Sequence, residues 1–136
     1  MKRDVAIVAL MNEEGKIFLV RTHDYPDKWQ PVGGGIEPED GVAEAAAVRE
    51  VLEETGLDLQ ASDLQKISVV PFDFGEGEVH CFTARVPKGA EFKIQQTEIA
   101  ESGWFSLVEA VNLPAYPATH AFLVMLAGTN FHQAIL

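Results

Sequence analysis

The sequence predicts an α/β fold, a mixed β-sheet covered by helices on its faces, and three observations lead there. Short β-rich runs stand before, between and after two segments with helical spacing. Apolar residues make up 47% and charged residues 23% of the chain, ordinary values for a globular protein that set aside disorder, collagen and coiled coil. At 136 residues the chain fits one domain, so residues 1–136 are expected to share a single core.

Val5 to Leu10 and Ile17 to Arg21 read as strands. Asn12-Glu13-Glu14-Gly15 between them is polar and ends in glycine, where positive φ is easiest, which makes the pair a hairpin. Met1-Lys2-Arg3 before this apolar run mimics a signal peptide, but the run is short and no small-residue cleavage site follows it. His23 to Gln30 is polar and aromatic and reads as an exposed loop leading to Pro31-Val32 and the glycine loop Gly33-Gly34-Gly35. Gly41 to Thr55 has helical spacing, and Gly56 is its expected stop.

Lys66 to Phe72, Val79 to Val86 and Trp104 to Ser106 read as further strands, with Gly75-Glu76-Gly77 as a turn between the first two. Val108 to Val111 reads as a helical turn. Ala118 to Ala127 reads as a second helix, preceded by Pro114 and Pro117 and stopped by Gly128. The apolar tail Phe131 to Leu136 would pack on a partner or on its own domain.

The formal charge of −11 excludes the basic footprint that binding a nucleic-acid backbone requires. A phosphate substrate would have to be met by recruited cations, and eight acidic residues fall within 22 positions, from Glu37 to Asp58. Cys81 is the one cysteine, so no intrachain disulfide forms and a reducing, cytoplasmic setting is expected. No stretch approaches the roughly 18 apolar residues of a membrane span.

Within the first helix, Glu50, Glu53 and Glu54 share one stripe when residues are placed about 100° apart on a wheel. Val48, Val51, Leu52 and Ala45 fall on the opposite side and are expected to bury against a sheet, while Ala43, Ala46 and Ala47 beside the carboxylates would leave room for a ligand. Two like charges about 4 Å apart repel by on the order of 4 kcal/mol at an effective dielectric near 20. An isolated acidic stripe is ordinarily a solvated face. Next to a glycine loop, where backbone can approach a ligand, the same stripe points to a divalent cation with oxygen ligands, Mg²⁺ or Mn²⁺.

Arg49-Glu50-Val51-Leu52-Glu53-Glu54-Thr55-Gly56-Leu57 resembles the second half of the box of the Nudix hydrolase family in full. That box reads Gly, five residues, Glu, seven residues, Arg-Glu-aliphatic-x-Glu-Glu-x-Gly-aliphatic. The first half departs from it. Five residues after Gly34 stands Asp40 rather than Glu, and eight residues then precede Arg49, one more than the pattern; counted from Gly35, the spacing is regular but the Glu position is Gly41.

The resemblance implies a Nudix-like α/β/α sandwich. It also implies hydrolysis of the pyrophosphate link of a nucleoside diphosphate derivative or nucleoside triphosphate by water attacking phosphorus. Carried over by position, Glu50 and Glu54 would be metal ligands, Glu53 a further ligand or the general base, and Arg49 the group that orients a glutamate. A carbonyl of Gly34 or Gly35 would join the metal shell or meet substrate. In some members the base lies in a later loop, where Glu98 and Glu101 stand here. Arg21 is a candidate for a substrate phosphate, and Trp29 an anchor for its loop. The alternative is a Nudix-fold nucleotide-binding or regulatory module without catalysis.

Overall fold

The computed structural model describes residues 2–135, with side chains described over 2–129. The expected contacts of the Phe131 to Leu136 tail therefore lie outside the described side chains. Six strands, β1 (Val5–Met11), β2 (Ile17–Thr22), β3 (Val32–Gly35), β4 (Gln65–Pro71), β5 (Glu78–Arg85) and β6 (Ile99–Phe105), form one sheet. The helices are α1 (Ala43–Thr55), α2 (Leu107–Val111) and α3 (Pro117–Ile135).

The sheet order is β4-β5-β1-β2-β6, with β3 paired to β1. β1 and β5 run parallel and the other pairs antiparallel, so the sheet is mixed. Alternation along β1 sends Ala6, Val8 and Leu10 to one face, where they pack with Ala46, Ala47 and Val51 of α1. Ile7 and Ala9 go to the other face, with Ala110 of α2 and Phe122, Leu123 and Leu126 of α3. Helices cover both faces, which is why the central strands are apolar throughout and the architecture is an α/β/α sandwich. No helix among the described residues is long and apolar enough to cross a membrane.

Four details differ from expectation. Gly33-Gly34-Gly35 is strand, not loop: β1 and β2 pair only at Met11 and Ile17, and β3 takes over the rest of β1 from Val8–Val32 to Val5–Gly35. β6 begins five residues earlier than Trp104, because pairing with β2 draws the polar residues Glu101 and Ser102 into the ladder. α3 continues through Gly128, since one interior glycine costs a helix only about 1 kcal/mol and Phe122, Leu123 and Leu126 are buried along its length.

The fourth concerns α1. Ala46 and Ala47, on the carboxylate side of the wheel, are fully buried, whereas Leu52 on the supposed core side is 46% exposed. Small alanines let α1 approach the sheet closely, and that approach turns the glutamate stripe inward. The helix ends as expected: Gly56 adopts φ 78° and donates its N–H to Leu52 O at 2.9 Å.

Candidate functional site

The inward turn of α1 lays Glu50 and Glu54 against the glycine strand. Gly33 N–H donates to Glu54 Oε2 at 3.0 Å. A Cβ on Gly34 would lie 2.5 Å from Glu50 Oε1, so only glycine gives that carboxylate its place. On Gly33, with φ 153°, a Cβ would run into Ala6 O.

Arg49 joins the parts. Its Nε and Nη2 donate to Asp40 Oδ1 and Oδ2 at 2.9 and 2.8 Å, Nη2 also to Gly35 O at 3.1 Å, and Nη1 to Glu50 Oε1 at 3.1 Å and Glu53 Oε1 at 3.4 Å. Asp40 reaches it from a 3₁₀ turn, Pro38–Asp40, in which Glu37 N–H donates to Asp40 Oδ2 at 2.8 Å. The irregular first half of the box therefore still supplies a carboxylate to the arginine. Hydrogen bonds from Arg49 and then from the Glu37 backbone hold the Asp40 carboxyl down at about 2, and the same Asp40 bonds raise the guanidinium above its ordinary value.

The buried pair behaves oppositely. Glu54, 7% exposed, is pushed up to about 8, first by burial and then by the charge of Glu50. Glu50 is raised as well, first by burial, with Arg49 pulling the other way and Glu53 adding to the rise. Glu53 stands at the rim, its side chain 53% exposed.

An open cleft of about 980 Å³ follows β3 past Arg49, Glu50, Glu53 and Glu54. Glu98 lines it too, and its charge bears on both Glu50 and Glu54. The segment before Glu98 is tied to the end of α1, with Lys93 N–H donating to Thr55 O at 2.8 Å and Gln95 N–H to Glu54 O at 3.0 Å. Glu101 goes elsewhere: it lies on β6 opposite Arg21 and forms an ion pair with it. The β2–β6 register slips between Arg21 and Thr22, which separates the two glutamates.

Arg21 also donates to Pro26 O at 2.6 Å and lies 5.2 Å from the Trp29 ring centroid, and it is not itself among the residues lining the cleft. Trp29 packs edge-on against Phe105 at 4.9 Å and anchors its loop. Arg3 does line the cleft, its Nη2 3.4 Å from where a Gly35 Cβ would be, and sequence reasoning passed over it. It also passed over Tyr25, Phe74 and Tyr116, which three separate loops bring to the cleft. Their spacing along the chain carries no signal.

Among the described residues, no three carboxylate, imidazole or thiolate groups converge as a ready metal cluster. Glu50 and Glu54 are a two-carboxylate set, the number Mg²⁺ usually draws from protein when water and phosphate oxygens complete its shell. Two partly or fully buried carboxylates, Glu54 raised by the charge of Glu50 and only Glu50 paired with the already committed Arg49, fit a divalent cation. The glycine backbone beside them offers carbonyl oxygen without a side chain in the way.

A family model described as NUDIX domain matches residues 1–125. A Bacillus subtilis (strain 168) protein named "Putative 8-oxo-dGTP diphosphatase" is 38% identical over 101 residues, covering 74% of this chain and 64% of that protein. Mouse diphosphoinositol polyphosphate phosphohydrolase 3-alpha is 43% identical over 56 residues, 41% of this chain and 34% of that one. The chain thus spans less than two thirds of either relative. The crystal structure of a MutT NUDIX hydrolase from Burkholderia pseudomallei shares the fold, with a TM-score of 0.75 at 24% identity over 92% of this chain and 98% of the other. By its matched domain, its fold and the placement of Arg49, Glu50, Glu53 and Glu54 on the helix beside the glycine strand, the chain belongs to the NUDIX family.

Proposed function

We propose that this chain is a divalent-metal-dependent pyrophosphohydrolase that opens the anhydride link of a nucleoside diphosphate derivative or nucleoside triphosphate by attack of water on phosphorus. One observation carries this reading: the buried carboxylate of Glu54 and the partly buried one of Glu50 meet the side-chain-free backbone of Gly33 to Gly35 inside a cleft of about 980 Å³, a volume suited to a nucleotide. Glu50 and Glu54, with a carbonyl of Gly34 or Gly35, would hold Mg²⁺ or Mn²⁺. When bound, the metal would polarise the phosphoryl oxygens and neutralise the charge that develops on them.

The chain's own residues do the rest. Arg49 fixes Glu50, Gly35 and Asp40 in one network and so sets the distance between helix and strand. Glu53 at the rim, or Glu98 across the chain, accepts the proton of the attacking water; both line the cleft. Arg3 meets a terminal phosphate more readily than Arg21, which would first have to leave Glu101.

The two relatives are named for different substrates, a nucleotide and an inositol polyphosphate. Among the described residues, the cleft presents Lys2, Arg3 and Arg49 as its lysine and arginine side chains. Lys2 pairs with Asp4 and Arg49 is committed to carboxylates. So few cations in a chain of charge −11 favour the less highly charged nucleotide. A cytoplasmic setting accords with the single buried thiol, Cys81.

The test is release of phosphate, pyrophosphate or nucleoside monophosphate from nucleotides, nucleotide sugars and dinucleotides with Mg²⁺ or Mn²⁺, beside Glu53→Gln and Glu98→Gln. Metal-dependent turnover lost in one of the two variants supports the reading. Absence of turnover, with nucleotide still raising the melting temperature, would leave a binding module in its place.

A further inference from the structure

Four aromatic side chains from three parts of the chain meet in the cleft, and the chemistry assigned to its carboxylates does not use them. Tyr25 comes from the loop after β2, Phe72 and Phe74 from the turn between β4 and β5, and Tyr116 from the approach to α3. Tyr25 and Phe74 lie nearly parallel, 17° apart with centroids at 6.4 Å. Tyr116 stands edge-on to both, at 5.6 Å and 90° from Tyr25 and 5.0 Å and 79° from Phe74. Phe72 supports Phe74 from beneath at 5.7 Å and 73°.

Tyr25 and Phe74 are not core, whereas Phe72 is partly buried against the apolar cluster on the α3 side of the sheet. Phe74 is 60% and Tyr25 45% exposed, although an aromatic side chain is among the groups that gain most from burial. Exposed apolar surface gathered inside a concave site marks a surface that a ligand covers. The face is polar at its margin, where Asp24 and Asp73, the chain neighbours of Tyr25 and Phe74, line the same cleft. The guest is therefore flat, apolar on its faces and polar at its edges, and it is joined to something the carboxylate part of the same cleft would handle.

We infer that Tyr25, Phe74 and Tyr116 form the seat of the substrate's nucleobase and decide which nucleotides this chain accepts. The inference rests on the cleft being a nucleotide site, and it goes further by naming the residues that read the base. A base stacks on the Tyr25 and Phe74 faces, Tyr116 meets its edge, and the polar margin bonds its exocyclic groups. A substrate without a planar ring, such as an inositol or plain sugar phosphate, would leave the seat wet and bind weakly.

The experiment is calorimetric binding of the four 5′-deoxynucleoside monophosphates and of ribose 5-phosphate to the full chain in Mg²⁺. A monophosphate has no anhydride link and is not consumed. The variants are Phe74→Ala and Tyr25→Ala, both at exposed positions, with Phe74→Trp as the conservative replacement. At least one monophosphate should bind the wild type more tightly than ribose 5-phosphate does. Each alanine variant should weaken that monophosphate by roughly 5- to 150-fold, the range expected for losing one stacked base, with ribose 5-phosphate unchanged. Phe74→Trp should retain binding.

The inference is overturned if no monophosphate binds, if ribose 5-phosphate binds equally well, or if the alanine variants weaken both ligands alike. Triphosphate hydrolysis measured in parallel separates the two ideas. Base-dependent binding without hydrolysis upholds the seat and removes the hydrolase; hydrolysis without base dependence does the reverse.

Discussion

Arg49 grips Asp40 at two points, Nε to Oδ1 at 2.9 Å and Nη2 to Oδ2 at 2.8 Å, and with the same guanidinium reaches Gly35 O. A planar fork makes this arrangement possible, and a lysine, as a point charge, has no equivalent. The contact ties the irregular turn ahead of α1 to both the helix and the glycine strand.

Asp40→Glu, which restores the family's residue at this position, is accordingly expected to keep most activity, whereas Asp40→Asn and Arg49→Lys should each lose it by about tenfold or more, since the charge-assisted pair is broken. Steady-state kinetics with circular dichroism as a fold control would check this. Equal activity in Asp40→Asn would mean that the pair serves only the turn.

The raised pKa of Glu54 has a thermodynamic sign. An unfolded glutamate titrates near 4.5 and the folded one near 8, so between those values the metal-free folded chain holds a proton that the unfolded chain has lost. This group's contribution to stability is therefore most favourable at low pH and declines as pH rises from 4.5 to 8, by at most about 1.4 kcal/mol per pH unit. Melting temperature against pH in chelator should show the decline, Glu54→Gln should flatten it, and Mg²⁺ should stabilise more at pH 8 than at pH 5. Asp40 acts in the opposite sense: it is held down to about 2, and its contribution is lost only in strong acid.

Glu53 and Glu98 are the two candidates for the proposed proton acceptor, both lining the cleft. Whichever is the base should lose kcat by roughly 10²- to 10⁴-fold as Gln, with KM little changed. Both are exposed, so neither variant should lower the melting temperature appreciably. A pH profile that loses its acidic limb in one variant would identify the base; retention of full kcat in both would place it elsewhere.

The glycine strand offers a graded pair. Gly33→Ala meets the fixed backbone oxygen of Ala6 at a φ that side chains rarely adopt, and should destabilise by roughly 1–3 kcal/mol. Gly34→Ala meets only the end of the Glu50 side chain, which can swing aside. It should therefore fold but lose Mg²⁺-dependent stabilisation and turnover. Denaturant unfolding with and without Mg²⁺ separates the two, and an unaltered Mg²⁺ response in Gly34→Ala would mean that Glu50 does not depend on that space.

Sequence alone determined what is local. The helix expected over Gly41 to Thr55 and formed over Ala43–Thr55, its stop at Gly56, the common stripe of Glu50, Glu53 and Glu54, and the hairpin around Gly15 all depend on residues within a few positions of one another, where helical and strand periods hold whatever surrounds them. The Arg49 to Leu57 motif made the family legible for the same reason. Tertiary structure decided what depends on long-range pairing. It turned the carboxylate stripe inward, because Ala46 and Ala47 allow close approach to the sheet while Leu52, more apolar on paper, remains exposed. It made the triple glycine a strand by pairing it with β1, and separated Glu98 from Glu101 by a slip in the β2–β6 register. It also gathered Tyr25, Phe74 and Tyr116 from three loops into one cleft. Hydrophobicity read along a chain says which residues prefer burial. Which neighbour buries them is set by the packing of elements dozens of residues apart, and that information is not periodic in the sequence.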